Sequence, residues 1–177
     1  MAIPNKTEML AKLPVRPNED PFVVAIGGFY RRWFNLVDDL QPMLDTVATL
    51  KGTEDEDWVP AWSAVAARYE RDAEAALGRG DKQAARNAFL QAKSYYSIAR
   101  FPSPYRGGSA ICPPTMSKIK ETSYNKYLEC FQRAADLTDA PPEVVRIKRD
   151  GREAVGHLRL PKGASAANKV PAVLVMC

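Results

Sequence analysis

The stretch from Trp58 to Pro102 constrains this chain more than any other. It reads as two amphipathic helices broken at Gly78-Arg79-Gly80-Asp81. In the first half, Trp58, Trp62, Val65, Ala66, Tyr69, Ala73, Ala76 and Leu77 recur at helical spacing and make one apolar stripe. Ala85, Ala88, Phe89, Ala92, Tyr95, Tyr96 and Ala99 repeat the pattern in the second half. Thr53 with Glu56 can form a capping box, or Asp57 can cap alone, and Pro60 is tolerable because it falls in the first turn. Gly80 suits the end of the first helix, Asp81 suits the cap of the second, and Phe101-Pro102 stops it. Alanine-rich stripes let two helices approach closely, so the spacing predicts an antiparallel helical hairpin with Trp62 and Phe89 buried between its arms.

Helical periodicity also fills the flanks. Phe22, Val23, Ile26, Phe29, Tyr30, Trp33, Phe34 and Val37 share one face. Gly27-Gly28 interrupts it at a cost of about 1 kcal/mol per glycine. A phosphate-cradling role for that pair is disfavoured, since no strand precedes it and no Lys-Ser/Thr follows. The aromatics Phe29, Tyr30, Trp33 and Phe34 could line a pocket for a flat aromatic substrate, although helix core is the stronger reading. A short helix is expected from Pro42 to Leu50, and another from Met116 to Leu137 with Ile119, Tyr127, Cys130, Phe131 and Ala134 inward.

Beyond Pro141-Pro142 the period changes from helical to alternating. Val144 to Lys148 suits a half-buried strand, Asp150-Gly151 is a strong hairpin signal, and Ala154 to Pro161 reads as the returning strand. Pro171 to Cys177 is an unbroken apolar run, as expected of a third strand covered on both faces. The expected class is therefore α+β: a helical domain, then three strands of an unfinished sheet.

Composition narrows the function classes. A net charge of +4 is spread among mixed signs, with no basic stripe to suit nucleic acid. No apolar run approaches the roughly 20 residues of a membrane span, and residues 1–20 lack a signal-peptide core, which makes a cytoplasmic protein the default. Cys112, Cys130 and Cys177 are unevenly spaced and His157 is the one histidine, so neither a metal site nor another cofactor is expected.

Two resemblances follow from the order of these motifs. Gly80, Ala85, Phe89 and Ala92 match the second half of a tetratricopeptide repeat, which would imply a helical protein-interaction scaffold without enzymatic activity, but about three stacked copies are needed for stability and one is found. The longer series is W…A..Y…A…G….A…F..A..YY..ARFP, then Y..C…A, P..V.I…G….G.L..P and PAVLVMC. It resembles the N-terminal half of α/β-hydrolases of the FrsA-like group, which includes 2,6-dihydroxypseudooxynicotine hydrolase and fungal pigment-pathway polyketide-shortening hydrolases.

That resemblance implies an N-terminal arm at 1–20, a helical cap domain at 21–141 with its hairpin at 57–102, and the start of the hydrolase domain at 142–177. It implies ester or carbon–carbon bond hydrolysis of an aromatic ketone or polyketide-like small molecule, and it leaves room for a homodimer. Such enzymes place serine on a G-x-S-x-G elbow, followed by an acid and a histidine. No G-x-S-x-G occurs in these 177 residues. Gly107-Gly108-Ser109 lacks the flanking strand and helix, His157 falls too early, and Cys177 has no base partner. No catalytic residue is assigned, and the 177 residues alone are expected to be inactive.

Overall fold

The computed structural model describes residues 33, 35–50, 52, 54–101 and 117–175. Two compact units emerge, one ending at Ala134 and one beginning at Ala135. In the first, α1 spans Gln41–Thr49, α2 Asp55–Gly78 and α3 Lys82–Ala99. A fourth helix, α4, spans Lys118–Asp136 and so runs across the division. The expected helix from Phe22 lies almost wholly outside the described residues.

The α2–α3 hairpin forms as its stripes require. Trp58, Trp62, Ala66, Ala73 and Ala76 are buried on one arm, and Ala85, Phe89, Ala92, Tyr95, Tyr96 and Ala99 on the other. The turn between them is a Schellman motif: the Gly80 amide donates to Leu77 O at 2.9 Å and the Asp81 amide to Ala76 O at 3.0 Å. Gly80 sits at φ 77°, in the left-handed region where a side chain is penalised. Asp81 then caps α3 by accepting from the Ala84 amide at 2.9 Å.

The start of α2 differs from expectation. The helix begins at Asp55 behind Glu54, with no side-chain cap at that residue. Asp55, Glu56 and Asp57 crowd the first turn instead, where carboxylates complement the positive end of the helix dipole.

α4 runs parallel to α2, because its partners on α2 ascend together. Lys120 pairs with Asp55 at 2.7 Å, and the Ser63 and Ser123 hydroxyls lie 3.1 Å apart. Lys126 pairs with Glu70 at 2.8 Å, and Arg133 pairs with Glu74. This polar ladder corrects the inward face expected for α4. Cys130 and Ala134 are buried, but Ile119 is exposed and Lys120 and Ser123 are buried in its place. Asp55 and Ser63 on α2 supply polar partners there, so the face that meets them is polar too.

In the second unit, β1 (Glu143–Arg149) and β2 (Arg152–Leu158) pair antiparallel, with Glu143 opposite Leu158 and Arg149 opposite Arg152. Asp150 at φ 51° and Gly151 at φ 73° give the two-residue turn of the I′ kind, which suits the right-handed twist of the strands. Among the described residues the sheet has two strands. Of the third strand expected over Pro171–Cys177, the described part, residues 171–175, joins no ladder, and Val173 is 89% exposed. A strand is defined by its ladder, and no described neighbour provides one here.

Candidate functional site

Of the four aromatics singled out as pocket lining, Phe29, Tyr30 and Phe34 lie outside the described residues. Trp33 is 6% exposed and meets three rings: Trp58 at 5.7 Å, Trp62 at 6.1 Å and Phe101 at 5.3 Å between centroids. The cluster continues through Trp62 to Tyr95, which stacks on Tyr69 at 5.6 Å. Tilted, edge and offset contacts of this kind let each ring present its positive edge to a neighbour's face.

Helix spacing sets this wall. Trp58, Trp62 and Tyr69 project from one stripe of α2, and Tyr95 faces them from α3. Trp58 Nε1 donates to the Ile98 carbonyl at 2.9 Å, which ties the first turn of α2 to the last of α3. Trp62 Nε1 is buried without a hydrogen-bond partner. Arg68 lies over the Tyr69 ring at 5.1 Å, and burial raises the Tyr69 and Tyr95 phenol pKa values. Both phenols are therefore neutral at physiological pH. Trp33, Trp58, Trp62 and Tyr95 are all buried, so the cluster is helix core.

Nucleophiles fare poorly among the described residues. Cys130 is fully buried beside Glu70 and Glu129, and burial pushes its thiol pKa up to about 12. A thiolate is the reactive form, so this cysteine is inert at neutral pH. We expect iodoacetamide at pH 8 to leave the Cys130 peptide unmodified in native protein and to label it in denaturant, as read by peptide mass spectrometry. Native labelling at the rate of a free thiol would contradict this placement.

His157 lies on β2 opposite Val144 and is exposed. Cys112, Ser109 and Cys177 are outside the described residues. Among the described residues no group of three His, Cys, Asp or Glu side chains is placed to hold a metal. Nor is any helix among them long and apolar enough to cross a membrane.

A helical unit with an aromatic core is followed in sequence by an antiparallel β-hairpin. No family model matches the chain. It is 29% identical over 138 residues to the α/β-hydrolase xenA of Xenoacremonium sinensis, covering 77% of this chain and 30% of that protein. It is 25% identical over 120 residues to the esterase FrsA of Photobacterium profundum, covering 68% of this chain and 26% of the relative. This chain is similar to α/β-hydrolases of the FrsA-like group. Its fold matches part of the crystal structure of the 2,6-dihydroxy-pseudo-oxynicotine hydrolase, with a TM-score of 0.53 at 19% identity over 77% of this chain and 34% of that one. The chain thus spans about a third or less of the hydrolases it matches.

Proposed function

We propose that these residues form the helical domain and leading strands of a serine α/β-hydrolase acting on an ester or carbon–carbon bond of an aromatic ketone or polyketide-like substrate. The observation that carries this reading is the likeness to hydrolases, in sequence and in fold, over 77% of the chain. The exposed apolar side chains of the second unit support it. Val144 is 49% exposed, Ile147 63% and Val155 55%, and an isolated two-stranded hairpin is marginal in water. Pairing Pro171 to Cys177 as a third strand of a larger sheet would cover such surface.

The division of labour follows from the chemistry. A serine on an elbow attacks the substrate carbonyl, with a histidine taking its proton and backbone amides holding the oxyanion. All three catalytic side chains belong to sequence other than these 177 residues. The helical unit contributes a buried aromatic core around Trp33, Trp58 and Trp62, which holds its helices together. The repeat-scaffold reading is weaker: α2 and α3 form one helical pair, and α4 joins it through a polar ladder rather than as a second copy.

The test compares the 177-residue chain with a longer protein that adds the G-x-S-x-G elbow, using a p-nitrophenyl ester. The longer protein should turn over, be labelled by a fluorophosphonate, and lose both properties when the elbow serine becomes alanine. The 177-residue chain should show neither. Turnover by that chain, blocked by the fluorophosphonate, would overturn the reading.

A further inference from the structure

Outside the aromatic core, two cations share one aromatic platform with no carboxylate paired to either among the described residues. Lys93 and Arg100 stand seven residues apart at the C-terminal end of α3, a spacing that puts them on one helix face. Tyr124 and Tyr127, one turn apart on α4, stack with centroids 6.0 Å apart and planes 18° from parallel. The Arg100 guanidinium lies 5.6 Å from the Tyr124 ring and 5.0 Å from that of Tyr127, while Lys93 Nζ lies 5.8 Å from the Tyr127 ring.

Three cations of α4 are neutralised. Lys120 has Asp55, Lys126 has Glu70 and Glu129, and Arg133 has Glu74. Among the described residues no carboxylate pairs with Lys93 or Arg100. Burial and the Arg100 charge both lower the Lys93 pKa, and Arg100 Nε is buried with no hydrogen-bond partner. Rings and the helix C-terminus offset part of this charge. Neither supplies an acceptor for the buried Nε–H of the guanidinium. A buried donor left unmade costs the full desolvation of that group, and a carboxylate meets the guanidinium edge with two parallel hydrogen bonds.

We propose that Lys93, Arg100, Tyr124 and Tyr127 bind a small aromatic carboxylate. Its carboxylate takes the Arg100 fork and the Lys93 ammonium, and its ring lies against the tyrosines. A phosphate would use the charges but not the rings, and an aliphatic acid likewise, so the ring is what the tyrosine pair selects. This inference is independent of the hydrolase reading, because it concerns binding by the 177-residue chain.

Calorimetric titration of that chain with benzoate, acetate and inorganic phosphate tests it. Benzoate should bind at least tenfold more tightly than either of the others. Arg100→Gln and Lys93→Met should each weaken benzoate at least tenfold with the far-UV circular dichroism unchanged, and Arg100→Lys should weaken it less than Arg100→Gln. For a variant that loses its helical signal, amide shifts of the parent chain on adding benzoate decide instead, and should centre on residues 93, 100, 124 and 127. Absence of benzoate binding, shifts centred elsewhere, unchanged affinity in both variants, or phosphate or acetate binding as tightly as benzoate would each overturn the proposal.

Discussion

Replacing Phe89 with alanine should lower the stability of the helical unit by about 3–5 kcal/mol. Phe89 is fully buried at mid-length on α3, and the Arg133 guanidinium lies 4.2 Å from its ring centroid. Truncation removes the transfer free energy of the ring and leaves a cavity that helices pinned by a Schellman turn and a polar ladder cannot easily close. It also strips Arg133 of the face it rests on. Phe89→Leu retains most of the volume and should cost less than about 1.5 kcal/mol. Urea unfolding followed at 222 nm reads this helical unit directly. A Phe89→Ala midpoint that moves by less than about 1 kcal/mol equivalent would place the ring outside the core.

The elements that sequence patterning specified are those whose signals are local. The α2–α3 hairpin needs only two stripes, a glycine at positive φ and an aspartate cap, and all of these lie within one short stretch. The β-hairpin needs only alternation around Asp150-Gly151. Non-local partners decided the rest. Whether Ile119 or Lys120 faces inward at the start of α4 depends on Asp55, far back in the chain, and hydrophobicity alone favours the wrong residue. The last apolar run reads as a buried strand by composition, yet a strand requires neighbours that the described residues do not contain.

The candidate site divides in the same way. Trp33 announces itself as one of a run of aromatics, and its density in sequence becomes ring contact in space. Lys93 and Arg100 give no comparable sign. A lysine and an arginine on an amphipathic helix normally mean a solvated face. Only their meeting with Tyr124 and Tyr127, from another helix, turns the spacing into a site.

The ion pair between Lys120 and Asp55 should show the second large effect. Their side chains are 7% and 11% exposed, and the Ser117 hydroxyl donates to Asp55 at 2.6 Å. Lys120→Met keeps the length and apolar stem but removes the Lys120 charge from the buried Asp55 carboxylate. Breaking a buried pair costs about 3–5 kcal/mol, since the orphaned charge keeps its desolvation penalty. Here the Ser117 hydrogen bond and the N-terminal end of α2 still favour the anion, which brings the expected loss to about 2–4 kcal/mol. Asp55→Asn should also destabilise, by stranding Lys120 instead. Combining Lys120→Met with Asp55→Asn removes both charges, so the double variant should lose less than the two single losses added together. Urea unfolding of all four proteins at 222 nm measures that coupling. Additive losses, or a Lys120→Met variant within about 0.5 kcal/mol of the parent, would mean that water reaches Asp55 and that the α2–α4 contact depends on Cys130 and Ala134 rather than on its polar ladder.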